Sequence, residues 1–217
     1  MRVTGLLRVL AVIITLAGTW FFVQTYLSNT GQKFVSLRSW LGKAVSQPVK
    51  NKCNNAKSCP ENYYAFKIIS GAANVVGPSM CFEGTVFMSS VKNNIGRGLN
   101  IVLVNGEYFQ GEAAGFRYVK LLLNFLKPIQ EGTIVLIASY DDPATKLNDE
   151  ERGIFTSLGS SYAAKLAFRD NWIFLGAKGL HAKSPFEQHI KNSKETNKYD
   201  GWPEMLEMEG CVPKKID

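Results

Sequence analysis

Cysteines and histidines are the residues of this 217-residue chain with the most distinctive chemistry. The cysteines are Cys53, Cys59, Cys81 and Cys211. An even number of cysteines in an oxidising compartment forms disulfides, and an oxidised cysteine is not a nucleophile. The two histidines, His181 and His189, are spaced as in neither a zincin helix nor a zinc finger, and no Cys-x-x-Cys accompanies them. The sequence therefore predicts two disulfides, with all three pairings open, and neither a metal site nor a cofactor.

Asp141 and Asp142, at the end of an apolar run, are the best candidates for acid–base catalysis. Adjacent strand residues point to opposite faces of a sheet. The two carboxylates therefore cannot both act on one substrate bond if the strand continues through them. An Asp before Pro143 is typical of a turn. Asp142, Thr145 and Asn148 do not match the spacing of a calcium loop. Because a Gly-x-Ser-x-Gly elbow and a Walker loop are also missing from the sequence, we expect that the chain is not an enzyme.

A third cluster, residues 168–172 (FRDNW), places a cation, an anion and an indole within five residues. Arg169 and Asp170 beside Trp172 could grip a polar, ring-shaped ligand by bidentate hydrogen bonds and stacking. In the alternative interpretation, Arg169 and Asp170 pair to cap a loop while Trp172 fills the core. These residues alone favour the alternative.

Apolar, β-branched runs between turn residues predict the strands that position these side chains. The predicted strands are Tyr63–Ser70, Leu99–Val104, Thr133–Tyr140, Trp172–Gly176 and, more weakly, Met205–Met208. The run IVLIA within the third of them is continuous instead of alternating, which indicates a strand covered on both faces. The glycine-rich stretch 93–98 precedes a strand, so it is interpreted as a turn and not as a phosphate loop.

Two helices are predicted. An apolar stripe at Phe116, Val119, Leu123 and Leu126 indicates a helix over residues 112–127, before Pro128. A second helix begins after Asn148, whose capping-box partner is Glu151, and ends at Gly159. Strands that outnumber singly intervening helices favour an α+β fold, a sandwich of sheets with flanking helices. Residues 177–203 show no clear period and are expected to form a long loop, whose charges are either functional or, in the favoured interpretation, a solvated face.

The N-terminus combines the positive charges of Arg2 and Arg8 with the apolar run Val9–Val23. This layout predicts a secretory signal at residues 1–25, with cleavage after Thr25. The alternative is a type II membrane anchor, since the run to Leu27 is roughly long enough to cross a bilayer. Both interpretations place the folded part in a lumenal or extracellular compartment. Residues 26–52 are expected to be a flexible linker and residues 53–217 one domain.

The formal net charge of +7 is compatible with acidic glycans or an acidic receptor face. It is also a common level for solubility, so it discriminates little between classes of partner. No nucleic-acid partner is predicted, and no membrane span is expected to remain after signal cleavage.

Six stretches together make the sequence resemble a known family. They are residues 70–78 (SGAANVVGP), 91–100 (VKNNIGRGLN), 139–146 (SYDDPATK), 183–189 (KSPFEQH), 197–204 (NKYDGWPE) and 207–211 (EMEGC). They resemble the family-with-sequence-similarity-three group of secreted, cytokine-like proteins, from about Lys52 to the C-terminus. Residues 158–163 (LGSSYA), with 81–83 (CFE), are most similar to the branch of that family designated D.

The resemblance implies a compact β-β-α sandwich stapled by two disulfides, paired Cys53–Cys81 and Cys59–Cys211. It also implies a secreted, extracellular signalling protein that acts on a cell-surface receptor in metabolic regulation, such as glucose and hormone secretion, or in epithelial regulation. The chain departs from the family at residues 107–115 (EYFQGEAAG), which are several residues shorter and lack a strand motif. A strand at that edge is therefore expected to be altered or missing.

The same domain type resembles the glycan-binding stem domain of the O-mannose N-acetylglucosaminyltransferase. The positions that match its sugar-contacting residues are Arg97, Asp142 and Arg169, and all three residue types agree. The alternative function is thus a carbohydrate-binding, lectin-like module. In that case the three side chains converge on one open surface, and Trp172 is either a stacking wall or the core residue beneath it.

Overall fold

The computed structural model of the chain describes residues 5, 8, 10–26, 51–105, 110–116 and 119–214, with only the backbone described at 110–116 and 119–121. The chain divides into two compact units, residues 1–50 and 51–217. In the first unit, residues 10–26 form helix α1. Among the described residues we find no helix with the length and apolar character needed to cross a membrane. Residues 27–50, most of the predicted linker, lie outside the described residues.

The second unit contains nine strands and two helices in its described part. The strands are β1 (Tyr63–Ile69), β2 (Ser79–Phe82), β3 (Thr85–Met88), β4 (Gly98–Asn105), β5 (Gln110–Phe116), β6 (Ile134–Tyr140), β7 (Asn171–Ala177), β8 (Phe186–Ile190) and β9 (Glu207–Pro213). The helices are α2 (Val119–Leu126) and α3 (Asp149–Ser157), with short 3-10 turns at Lys52–Asn54 and Ala163–Lys165. One antiparallel sheet has the order β3-β2-β1-β9, and the other has the order β5-β4-β6-β7-β8. The predicted α+β class is confirmed.

The five-stranded sheet is the middle layer of the fold, because the side chains of its strands alternate between two cores. In β6, Ile134 and Leu136 join a core shared with the four-stranded sheet, whereas Val135 and Ile137 face a second core built with the helices. All of these side chains are buried. The continuous IVLIA run is therefore covered on both faces, as predicted, and the layers follow the order sheet, sheet, helices.

Helix α3 forms as predicted from its cap. The side chain of Asn148 accepts a hydrogen bond from the Glu151 N–H, and the Glu151 carboxylate accepts one from the Asn148 N–H. The helix predicted over 112–127 is correct only in its second half. Residues 110–116 instead form β5, which pairs with β4 along its whole length. Hydrogen bonding to the edge of β4 therefore determines the structure of residues 110–116 more strongly than their helical pattern of apolar residues does. The segment that is shortened relative to the family still supplies an edge strand.

Three short strands were not predicted: β2, β3 and β8. Strand β8 lies inside the stretch 177–203, so the expectation of a continuous long loop there is wrong. Strand β9 extends to Pro213, beyond the predicted Met205–Met208, because it pairs with all seven residues of β1.

Both disulfides join elements of the four-stranded sheet. Cys53, in the first 3-10 turn, bonds to Cys81 of β2, and Cys59 bonds to Cys211 of β9. The two bridges close 28 and 152 residues of chain. The pairing that the family resemblance implied is confirmed, and the described chain has no free cysteine.

Five connections meet at one end of the two sheets. The residues are 70–78, 89–97, 141–148, 166–170 and 191–206, and together they are called the loop end. Gly98 of β4 pairs with Tyr140 of β6, which brings the second and third connections together. The Gly71 N–H donates to the Ser139 carbonyl, which joins the first connection to the same edge. The loop end therefore collects residues from both sheets.

Candidate functional site

Arg97 and Asp141 lie side by side because they flank the paired residues at the ends of β4 and β6. Arg97 Nη1 is 3.5 Å from Asp141 Oδ2, and the Arg97 side chain is half exposed. The Asn100 side chain fixes the turn before Arg97: it accepts a hydrogen bond from the Gly96 N–H at 2.9 Å and donates one to the Gly96 carbonyl at 2.8 Å. Asp141 has a φ of 64°, a left-handed conformation that Asp tolerates better than most residues.

Asp142 is a turn residue and also contacts the connection before β7. Its Oδ1 accepts hydrogen bonds from the backbone N–H groups of Ala144 at 3.1 Å and Thr145 at 3.3 Å. The same oxygen accepts a third from the Arg169 N–H at 3.3 Å. The turn predicted for this aspartate is present, and it places the carboxylate next to Arg169.

Arg169 is held against two aromatic rings. Its guanidinium carbon lies 3.8 Å from the ring centre of Trp202 and 4.8 Å from that of Phe168. Its backbone is left-handed, with a φ of 58°. Within the described residues the guanidinium forms no ion pair, and its buried Nε has no hydrogen-bond partner. Arg169 is therefore a cation that aromatic faces hold in position and whose guanidinium is not engaged by a carboxylate of the described chain.

Trp202 connects the parts of this surface. Its Nε1–H donates to the Asp141 carbonyl at 3.1 Å and to Asp141 Oδ1 at 3.2 Å, while Arg169 lies over its ring. Gly201, with a φ of 82°, leaves room for this stacking, since a Cβ there would lie 2.8 Å from Arg169 Nη1. Sequence reasoning did not select Trp202. The available signal was a tryptophan directly after a glycine within the family-like stretch 197–204.

The polar surface is the name used below for Arg97, Asp141, Asp142, Arg169 and Trp202. The structure brings the three residues chosen from sequence, Arg97, Asp142 and Arg169, into one contiguous group. Two guanidinium groups supply donors and two carboxylates supply acceptors, so their formal charges cancel. A surface that alternates donors and acceptors beside aromatic rings is suited to a polar, uncharged ligand.

Trp172 occupies the second of its two predicted positions, the core. It is fully buried, stacked on Phe174 and in edge contact with Phe155, and its Nε1–H donates to Glu187 at 2.9 Å. Its ring is therefore not accessible to a ligand in this structure. The indole beside Arg169 is that of Trp202.

The predicted alternative of an Arg169–Asp170 pair does not form either. Asp170 is buried, and its Oδ2 lies 2.8 Å from His189 Nε2. The ring of His189 is stacked against Tyr162. Asp170 and its neighbour Arg169 therefore take part in separate groups of interactions.

A further ion pair lies close to the polar surface. Lys198 forms an ion pair with Glu204 on the connection that carries Trp202, and this raises the pKa of Lys198. In the described part of the chain, no group of three His, Cys, Asp or Glu residues is placed to hold a metal ion. The polar surface thus offers hydrogen bonding and stacking as its chemistry.

Residues 97–180 match the family model described as interleukin-like EMT inducer, a range that includes Arg97, Asp142 and Arg169. The chain is 56% identical to Protein FAM3D of Homo sapiens over 223 residues, covering 99% of both chains. The chain belongs to the FAM3 family. It is also 48% identical to FAM3A of Homo sapiens, covering 99% of this chain and 98% of the relative, and 52% identical to FAM3C of Danio rerio, covering all of both.

The family resemblance drawn from the six sequence stretches is thereby confirmed, including the similarity to branch D. The description of the family model is that of a cytokine-like group. None of the FAM3 names reported above indicates an enzymatic activity.

Proposed function

We propose that the chain is a secreted, cytokine-like signalling protein that acts on a cell-surface receptor in metabolic or epithelial regulation. FAM3 membership and the two disulfides support an extracellular role. The observation that carries the receptor proposal is Arg169, a cation held between aromatic rings whose guanidinium forms no ion pair within the described residues. Arg and Trp dominate the energetics of protein interfaces, and here both are already fixed in position.

The proposed organisation is a signal peptide at 1–25, a linker at 26–52 and a domain at 53–217. The N-terminal sequence of the protein recovered from the medium of expressing cells tests it. A chain that starts at Tyr26 supports the proposal, and a chain that stays in the membrane fraction with its N-terminus intact contradicts it.

Receptor action is tested with cells that respond to the wild-type protein. Arg169→Ala is expected to reduce saturable cell binding at least about tenfold, as expected for the loss of a central interface arginine. The matched control is Lys57→Ala, which removes an exposed cation between the first 3-10 turn and β1 and is expected to bind normally. Equal binding by both variants would contradict a role for the polar surface in receptor action.

The second candidate function is carbohydrate binding, and one observation favours it: Arg97, Asp142 and Arg169 are neighbours although they are far apart in sequence. The guanidinium groups would donate to sugar hydroxyls and the carboxylates would accept from them. A glycan array with the purified chain tests this. Specific binding that is lost in Arg169→Ala and kept in Lys57→Ala supports the module, whereas the absence of any glycan signal above background opposes it.

A further inference from the structure

Three valines are exposed on two adjacent connections of the loop end. Val75 and Val76, in connection 70–78, are 78% and 53% exposed, and Val91, in connection 89–97, is 96% exposed. Single exposed apolar residues are ordinary on protein surfaces, but a contiguous group of them marks an interaction site. The question is therefore whether these three valines share one surface.

The two connections are packed against each other next to the valines. A Cβ at Gly77 would lie 1.8 Å from Ile95 Cδ1 and 3.3 Å from Ser90 Oγ, so the two connections are in close contact at this point. Gly77 follows Val76 in sequence, and Ser90 precedes Val91. The valines consequently lie on neighbouring parts of one surface, which is called the valine platform.

The connection that carries Val75 and Val76 is braced by the backbone. The Ala72 N–H donates to the Val76 carbonyl at 2.8 Å, and the Asp141 N–H donates to the Ala73 carbonyl at 3.2 Å. The Tyr140 hydroxyl donates to the Asn74 carbonyl at 3.0 Å. These bonds also attach the platform to the polar surface through Asp141.

The connection that carries Val91 is braced by one asparagine side chain. Asn94 donates to the Phe87 carbonyl at 2.7 Å and accepts from the Ser89 N–H at 3.2 Å. These bonds hold the backbone that carries the valines, so a partner that covers the platform would need to order little additional backbone.

The charges beside the platform indicate the chemistry of its partner. The two connections, 70–78 and 89–97, contain two cations, Lys92 and Arg97, and no carboxylate of their own, but Arg97 is already paired with Asp141 of the adjacent connection. Lys92 is exposed and directly follows Val91, so it is the cation that a partner would meet beside the platform. A complementary partner therefore presents an apolar patch bordered by Asp or Glu side chains.

We propose that the valine platform, with Lys92 at its rim, is the docking surface for a protein partner: a receptor ectodomain that presents an apolar patch bordered by carboxylates. This inference rests on the proposed receptor function and adds to it the surface and the partner chemistry. A glycan bound at the polar surface would not require the valines.

The test compares the full-length chain with the variant Val75→Ser/Val76→Ser/Val91→Ser. Labelled protein is titrated on intact responsive cells and on cells treated with protease. Wild-type binding is expected to be saturable and lost after protease treatment, and the triple variant is expected to bind at least about tenfold more weakly. Lys92→Glu is expected to weaken binding several-fold and to reduce its dependence on salt. The control is Val86→Ser, which changes a valine that is 39% exposed on β3 and should bind as wild type.

Each other outcome contradicts the inference in a distinguishable way. If wild type binds in a protease-sensitive manner and the triple variant binds equally well, the platform is not the docking surface, while the receptor proposal stands. If wild type shows no protease-sensitive binding, the receptor proposal and this inference both fail. Light scattering that shows valine-dependent dimers would identify a second copy of the chain as the occupant. Valine-dependent binding to phosphatidylcholine–phosphatidylserine vesicles would identify a lipid surface. Thermal unfolding of every variant checks that it is folded.

Discussion

The stretch 168–172 looks like one polar cluster in the sequence, yet the structure divides it into two regions with opposite properties. Arg169 lies on the polar surface at the loop end, with the exposed ring of Phe168 beside its guanidinium. Asp170, Asn171 and Trp172 turn inward and are buried. The division occurs at Arg169, whose left-handed backbone redirects the chain.

The inward region satisfies its hydrogen-bonding groups within the protein. Asp170 accepts from the N–H groups of Ala167 and Asn192, both at 2.9 Å, in addition to contacting His189. Glu187 accepts from Trp172 Nε1–H and from the N–H groups of Ser161 and Tyr162. Buried polar groups with this many partners order the core.

The outward region leaves hydrogen-bonding capacity unused. Arg169 has stacking partners but no ion pair among the described residues, and Arg97 is only loosely paired at 3.5 Å. The difference between the two regions shows that charged residues adjacent in sequence can have different roles. The role of each is indicated by how many of its hydrogen-bonding groups have partners within the fold. A satisfied group stabilises the structure, and an unsatisfied, positioned group is available to a partner.

The largest expected effect concerns the scaffold that both regions share. Replacing Cys59 and Cys211 by serine is expected to lower the free energy of unfolding by about 5 kcal/mol, against about 3.5 kcal/mol for Cys53 and Cys81, because the longer loop loses more chain entropy. Urea denaturation of both double variants measures the order. A smaller cost for the longer loop would show that native-state effects outweigh chain entropy.

The inward region is tested by Asp170→Ala. The change leaves two backbone N–H groups and His189 without their acceptor in a buried site, so we expect a loss of about 3 kcal/mol in the free energy of unfolding. Asp200→Ala, an exposed aspartate of the loop end, is the control and should stay within about 0.5 kcal/mol of wild type. Similar values for the two variants would remove the distinction between the regions.

Trp202→Leu tests the outward region. It removes the stacking on Arg169 and both hydrogen bonds to Asp141, and we expect it to cost about 1–2 kcal/mol of stability while abolishing ligand or receptor binding. Trp202→Phe keeps an aromatic face and should retain part of the binding. A loss of stability as large as that of Asp170→Ala would mean that Trp202 is chiefly a core residue.

A smaller effect on the free energy of unfolding is expected at Arg169, where the chain passes from the outward region to the inward region. The left-handed conformation of Arg169 is unfavourable for any residue with a Cβ, by about 1 kcal/mol. Arg169→Gly should therefore be more stable than Arg169→Ala by about that amount, although both lose the guanidinium. Denaturant titration of the two variants measures the difference, and equal stabilities would contradict strain at this position.

Glu151 provides a further test of the comparison between satisfied and unsatisfied polar groups. It is a buried carboxyl of which one oxygen caps α3 and the other, Oε1, has no hydrogen-bond partner within the described residues. Burial raises its pKa above the ordinary value of 4.5. A carboxyl with a raised pKa on folding contributes stability below its unfolded pKa and loses that contribution as the pH rises through its folded pKa.

Glu151→Gln keeps a capping-box side chain and cannot ionise. Its stability relative to wild type should therefore increase as the pH rises from about 4 to about 7. Thermal unfolding of both proteins across this range measures the gap. A gap that is independent of pH would show that Glu151 titrates as an exposed residue does.

The central strands and α3 were predictable because their signals are local. The buried run of β6 and the Asn148–Glu151 cap are each readable within a few residues. Strands β2, β3 and β8 were missed because they are only four or five residues long and depend on distant partners. Strand β5 was interpreted as helix because pairing with β4 overrides its local pattern.

The site was predictable in part. Arg97, Asp142 and Arg169 were selected by their match to the sugar-contacting residues of a glycan-binding stem domain, and the fold brings them together. Trp202 was missed because its contact with Asp141 spans 61 residues and depends on closure of the 191–206 connection. Trp172 was considered as a ligand-binding residue because it is close to Arg169 in sequence. In the structure, its side chain points from β7 into the core that the sheet forms with the helices.

The position of β9 has a consequence for the order in which the molecule assembles. Strand β1 pairs with β9, which lies well over 100 residues later in the chain, from Tyr63 opposite Pro213 to Ile69 opposite Glu207. Contacts between residues so distant in sequence can form only after a long loop has closed, and closing it costs conformational entropy. Because this cost comes before the contacts stabilise the fold, such contacts slow folding. During synthesis one edge of β1 has no partner until β9 emerges, and the Cys59–Cys211 bond cannot form before then. The four-stranded sheet is therefore completed only once β9 is available, and deletion of β9 would leave it open along β1.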